Sequence, residues 1–104
     1  MSGEWHDACA ADALEEEATI GVMIAGRPVA LFRVGGAPYA LHDLCPHGQA
    51  RLSDGFVDGD CVECPLHQGL VDIRNGRPRG APVSTPTESY PARERNGRIE
   101  VQLP

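Results

Sequence analysis

Cys45-Pro46-His47-Gly48-Gln49 and Cys64-Pro65-Leu66-His67-Gln68-Gly69 are the two stretches on which the reading of this chain turns, and sixteen residues separate His47 from Cys64. Each stretch delivers one thiolate and one imidazole within two or three positions, set among Gly and Pro. Ligands so close in sequence must diverge from a tight turn, so the spacings C-x-H and C-x2-H suit two loop tips that meet around a metal centre. The chain has four cysteines, and two of them, Cys9 and Cys61, fall outside the paired pattern. Histidine therefore has to complete the donor set. A two-iron, two-sulfide cluster held by Cys45, His47, Cys64 and His67 is the best candidate. With two ferric ions, two sulfides and two thiolates, its oxidised core carries no formal charge, and an arriving electron meets a neutral centre instead of an anionic one.

Other readings of the same residues stay open at this point. Cys61-Val62-Glu63-Cys64 is also a C-x2-C, which could be half of a zinc ribbon or a thioredoxin-like pair. A ribbon would want a second such pair, and the thioredoxin motif belongs at a strand-to-helix junction in a βαβ unit that this sequence lacks. The rival from another functional class is accordingly a zinc-stabilised interaction module, colourless and redox silent. Four cysteines in a short chain could instead make two disulfides, but the interleaved histidines argue against that. Cys61 reads as a small buried strand residue, Cys9 as an incidental thiol, and His6 and His42 as ordinary strand residues.

Beyond the ligands, the run from Cys45 through Ala50-Arg51-Leu52-Ser53-Asp54-Gly55 and the run Cys64 to Gly69 closely resemble the Rieske-type ferredoxins of bacterial aromatic-ring-hydroxylating dioxygenases, such as the naphthalene and biphenyl systems. Gly80-Ala81-Pro82-Val83 is similar to that family's proline-containing loop over the cluster, and the resemblance extends through Tyr90-Pro91 to the closing 97–103 hairpin. Respiratory Rieske proteins carry an extra disulfide-forming cysteine in each cluster loop; the matching positions here are Ala50 and Leu66, so that disulfide cannot form. Gly69 stands where respiratory relatives place a hydroxyl donor to sulfide. Fewer donors to sulfur lower the potential, which puts the expected value near the bottom of the Rieske range, at about −150 mV.

The resemblance implies one Rieske-type [2Fe-2S] cluster, with Cys45 and Cys64 on one iron and His47 and His67 on the other. It implies a one-electron carrier between an NAD(P)H-dependent flavin ferredoxin reductase and the terminal oxygenase of a multicomponent dioxygenase. The carrier does no substrate chemistry and so is not an enzyme by itself. Electrons are expected to pass at the imidazole end, through His47 or His67. Gly48 and Gly69 leave room for close approach, and Pro46, Pro65 and Pro82 stiffen the loops. A Rieske-like subunit of a nitrite reductase or other redox complex is the rival within iron–sulfur proteins, and it would copurify with a large subunit.

Size and composition agree. At 104 residues the chain is read as one domain, 1–104, too short to add a substrate pocket with its own catalytic iron. Twelve Gly and nine Pro point to many turns. All nine basic residues are Arg, the net charge is −6, and no basic stripe exists, which speaks against nucleic acid. Residues 1–64 hold eleven acids and three bases, whereas 65–104 hold four and six. Asp43, Asp54, Asp58, Asp60 and Glu63 bracket the first ligand loop and the strand leading to the second, and some of them are expected to steer a basic redox partner. The start of the chain lacks a basic segment followed by an apolar run, so the expectation is a cytoplasmic protein without a membrane anchor.

The chain reads as all-β, an antiparallel Rieske-type β-sandwich or barrel with a small cluster-binding subdomain at about 45–82. Strands are expected at 5–8, 18–24, 27–34, 39–44, 55–57, 61–63, 70–73, 90–94 and 99–103, with a helical turn at 10–16. Within 27–34, Val29, Leu31 and Arg33 share one face and Ala30, Phe32 and Val34 the other. Gly35-Gly36, Asn75-Gly76 and Asn96-Gly97 mark turns, and a type I′ geometry is expected at Asn75-Gly76. The segment 79–86 reads as a loop.

Overall fold

The computed structural model describes residues 3–44, 50–65, 69–79 and 86–104. Among these residues, ten strands form three antiparallel sheets. β1 (Glu4–Ala10), β10 (Arg98–Leu103) and β9 (Ala92–Arg95) make the first, in the order β1-β10-β9. β2 (Thr19–Ile24), β3 (Arg27–Val34), β4 (Ala37–His42) and β8 (Ser89–Tyr90) make the second, and β5 (Phe56–Asp58), β6 (Cys61–Glu63) and β7 (Leu70–Asp72) the third.

β3 explains the layering. Its alternation places Val29 and Leu31 on one face and Ala30 and Phe32 on the other, and all four are fully buried. Val29 and Leu31 join Ile24, Ala40, Ile99, Val101 and Leu103 in a core between the first two sheets. Ala30 and Phe32 join Leu41, Leu52, Val62, Cys64, Val71 and Ile73 in a second core beneath the third sheet. The middle sheet is thus apolar on both sides, and each large side chain buried there stabilises the fold by about 1.5–3 kcal/mol. Arg33 ends the β3 stripe at the rim of the first core. Its Nη2 donates to the Ala11 carbonyl at 2.9 Å and its Nη1 to Glu94 at 3.0 Å, fastening β3 to the turn after β1 and to β9.

Three local expectations need correction. The run 90–94 is not one strand: Ser89–Tyr90 pairs with β4, whereas Ala92–Arg95 pairs with β10. Pro91 lies at the switch, where its missing N–H cannot serve a ladder and its carbonyl instead accepts from Gln102 N–H at 2.9 Å. The helical turn at 10–16 shrinks to one 3-10 turn, Ala11–Ala13, because β1 extends through Ala10. Asn75-Gly76 is not type I′, a geometry that needs positive φ at both residues. Gly76 has φ 77, but Asn75 is not among the positive-φ residues; its side chain accepts from Arg77 N–H at 2.9 Å in an Asx turn. Asn96 and Gly97, with φ 53 and 76, do meet the I′ requirement between β9 and β10.

Candidate metal centre

Of the four proposed ligands, Cys64 is the one the structure describes. Cys45, Pro46, His47 and Gly48, then Leu66 and His67, and the segment from Gly80 to Val83, all lie outside the described residues. What is described is the set of stems that carry them, and these converge.

The first ligand segment leaves the middle sheet at the end of β4 and returns through a second 3-10 turn, Leu52–Asp54. Its two arms are paired by an isolated antiparallel bridge between Leu44 and Arg51 and by Leu52 N–H donating to the Asp43 carbonyl at 2.8 Å. The second segment is a loop of the third sheet. β6 and β7 pair Glu63 with Leu70, and Cys64 N–H donates to the Gly69 carbonyl at 2.9 Å, closing the base of the loop that contains His67. The third segment, 80–85, is held at both ends: Arg79 N–H donates to the Leu70 carbonyl at 2.8 Å, and Thr87 N–H to the Gly76 carbonyl at 2.9 Å. Finally His42 N–H donates to the Glu88 carbonyl at 2.8 Å, linking the third stem to the first. One chain of main-chain hydrogen bonds therefore ties all three stems, and Leu52 and Cys64 share a single apolar core. Ligand loops on strand ends buttressed in this way are held in position by the rigid sheets below them.

Cys64 is wholly buried and is not in a disulfide. A free sulfur fixed at the mouth of a Cys/His loop, walled by Leu52, Val62 and Val71, suits a thiolate ligand in a dry, rigid setting. The residues present fit a [2Fe-2S] cluster with mixed thiolate and imidazole donors. Cys61 has a different environment: burial pushes its thiol up, its Sγ lies 3.6 Å from Asp60 Oδ1, and it reads as a structural residue of β6. Cys9 is likewise raised by burial, within β1. His6 and His42 sit in β1 and β4, as expected of ordinary strand residues.

Two polar features of the stems escaped the sequence reading. Asp43 was placed among surface acids, yet it is fully buried between the arms of the first loop. The signal lay in the sequence: a single acid in the otherwise apolar approach Tyr39-Ala40-Leu41-His42-Asp43-Leu44, with Ser53 just past the loop. Asp72, only 3% exposed, accepts from Arg79 Nη1 at 2.9 Å, Arg74 Nη2 at 3.2 Å and Arg74 N–H at 2.9 Å, while Arg74 also pairs with Asp60 at 3.0 Å. Asp60, also placed among the steering acids, is thus engaged by Arg74.

Burial alone would raise the Asp72 carboxyl, but the hydrogen bonds from Arg74 and Arg79 outweigh it and hold the group below its ordinary value. A depressed folded-state pKa means that the stabilisation is complete above the unfolded carboxyl value of about 3.9 and disappears as pH falls through the folded value. Asp72→Asn is expected to lose about 2 kcal/mol at pH 7 in urea unfolding. Its deficit against wild type should shrink below pH 4, and a deficit that stayed constant down to pH 2 would contradict this account.

The sequence pattern of the Rieske [2Fe-2S] domain matches residues 4–91. The chain belongs to the Rieske [2Fe-2S] domain family. Among full-length relatives of this Rieske chain, the anthranilate 1,2-dioxygenase ferredoxin subunit of Burkholderia cepacia is 48% identical, over 96% of this chain and 93% of that one. The ferredoxin component of the naphthalene 1,2-dioxygenase system of Pseudomonas aeruginosa is 42% identical over 99% of both. Among solved structures, a complex of reduced oxygenase and oxidised ferredoxin in carbazole 1,9a-dioxygenase contains a chain that matches with a TM-score of 0.88 and 36% identity, covering 93% of this chain and 91% of that one. The all-β Rieske architecture and a Rieske-type [2Fe-2S] cluster follow from this membership. Among the described residues, no helix is long and apolar enough to cross a membrane.

Proposed function

We propose that this chain is the ferredoxin of a multicomponent aromatic-ring-hydroxylating dioxygenase, a one-electron carrier that itself transforms no substrate. Cys45 and Cys64 are its thiolate ligands and His47 and His67 its imidazole ligands, and 1–104 is one domain with a cluster-bearing part at about 45–82. The cluster supplies reversible one-electron chemistry when bound. An NAD(P)H-dependent flavin reductase donates to it, the terminal oxygenase receives from it, and the nicotinamide supply places the system in the cytoplasm. One observation carries the reading: both Cys/His segments spring from stems bonded to one another around the buried Cys64. Full-length similarity to dioxygenase ferredoxins at 42–48% identity supports it over a nitrite reductase subunit.

The acids that remain free to steer a partner form a smaller set than the sequence suggested. Asp43 is buried and Asp60 is paired with Arg74, which leaves Asp54, Asp58 and Glu63. Two of them flank Phe56, which is 65% exposed on the outer strand of the third sheet, where it pairs with Glu63 and shares a strand face with Asp58. An apolar contact flanked by acids fits a basic surface with an apolar recess.

The test is stopped-flow electron transfer from the reduced protein to its cognate oxygenase at rising salt. The second-order rate should fall steadily with ionic strength, and Asp54→Asn/Asp58→Asn should slow it on the order of tenfold at low salt while flattening the salt dependence. A wild-type rate indifferent to salt would remove the steering role. Failure of any cognate reductase and oxygenase pair to exchange electrons with the protein would remove the function.

A further inference from the structure

We infer that Asp43 is the positioning residue of the first ligand loop, a buried side chain whose hydrogen bonds lock both arms of the loop together. The inference rests on Cys45 and His47 being ligands, as proposed above.

A carboxyl group in an apolar core is costly unless hydrogen-bond partners surround it. Asp43 is fully buried, and both of its oxygens are engaged by one residue on the opposite arm: Oδ1 accepts Ser53 N–H at 2.7 Å and Oδ2 accepts Ser53 Oγ–H at 2.6 Å. Its main chain is used as well, with N–H donating to the Pro28 carbonyl at 3.0 Å and the carbonyl accepting from Leu52 at 2.8 Å. Four hydrogen bonds therefore run from the residue two before Cys45 to β3 and to the arm returning from the loop. Two bonds from one side chain to one residue fix orientation as well as distance.

A third element is shaped to admit the clamp. A Cβ built on Gly21 of β2 would lie 2.5 Å from Ser53 Oγ and 2.9 Å from Asp43 Oδ2, so only glycine leaves room there. Among the described residues the ion-pair partner of Asp43 is Arg51, at 4.0 Å and with its side chain 51% exposed, a contact too long and too wet to hold the loop, so the clamp falls to Ser53.

The clamp is tested by substitution in the holoprotein. Asp43→Asn keeps it, since its Oδ1 can accept Ser53 N–H while Nδ2 donates to Ser53 Oγ. That variant should keep the iron-release rate, cluster content and electron paramagnetic resonance spectrum of wild type. Asp43→Ala and Ser53→Ala break the clamp, and each should release iron to a chelator about tenfold faster than wild type, with faster amide exchange across 50–55.

Iron release from Asp43→Asn as fast as from Asp43→Ala overturns the role given to these hydrogen bonds. Iron release and amide exchange unchanged in Ser53→Ala, and in Asp43→Ala where that variant folds, overturn the clamp. Wild-type protein without iron and labile sulfide would instead overturn the ligand assignment itself, a separate outcome read before any variant is made.

Discussion

Cys64→Ser is expected to purify without iron and labile sulfide, and His67→Cys to keep a cluster whose spectrum is no longer that of the wild type. Removing even an outer partner of a metal ligand typically costs 10–100-fold in affinity, and removing a first ligand exceeds that. Cys64 gives the clearest case because the described residues show no local substitute. It is fully buried and hydrogen-bonded through its amide to Gly69, and the nearest other thiol in sequence, Cys61, falls on the opposite face along the strand direction, with its Sγ against Asp60. The fold should survive, because serine is smaller and the surrounding Leu52, Val62 and Val71 remain. Retained circular dichroism with lost colour is the predicted signature. His67→Cys tests the second half of the assignment. A third thiolate adds negative charge, so the potential should fall, and the average g-value of the dithionite-reduced protein should rise toward that of all-thiolate clusters. A His67→Cys protein with the wild-type spectrum would take His67 out of the donor set, and a Cys64→Ser protein with full iron would do the same for Cys64.

The proposed donor set came from Cys and His at short spacings that have few uses, whereas β3 was legible because period-two alternation of Val29, Leu31 against Ala30, Phe32 survives unchanged into a strand buried on both faces. Tertiary pairing decided what local pattern could not. Tyr90 and Ala92 look like one strand until Pro91 is seen to hand the chain from β4 to β10. Two Asn-Gly pairs look alike, yet Asn96-Gly97 joins adjacent strands and adopts I′, while Asn75-Gly76 is pulled into another geometry by Asp72 and Thr87. Asp43 was misread for a related reason. Its charge suggested solvent, and only the return of Ser53 over the loop supplies the donors that let it be buried.

Gly76→Ala is expected to cause the largest loss of stability among single additions of a methyl group to the stems, because two costs fall on one atom. Gly76 has φ +77, a region where an L side chain costs about 1–2 kcal/mol. A Cβ there would also lie 2.2 Å from the Thr87 carbonyl oxygen, a main-chain atom that cannot swing aside as a side chain would. Relief requires a shift of the backbone at Thr87, and overpacking of this kind costs a further 1–3 kcal/mol, approximately. The damage should not stay local. Gly76 accepts from Thr87 N–H at 2.9 Å and donates to the Asp72 carbonyl at 2.8 Å, so moving Thr87 strains the far end of the 80–85 segment and the Asp72 turn together. His42, bonded to Glu88, carries the disturbance to the first ligand stem. Urea unfolding of the apoprotein should therefore show about 3 kcal/mol lost, and the holoprotein should release its cluster faster. Gly59→Ala gives the comparison, since Gly59 also has positive φ, at 62, but open space around its Cβ. That variant should show the conformational cost alone. Equal losses in the two would mean that the close approach of Gly76 to Thr87 contributes nothing, and that the third stem is not braced in the way described.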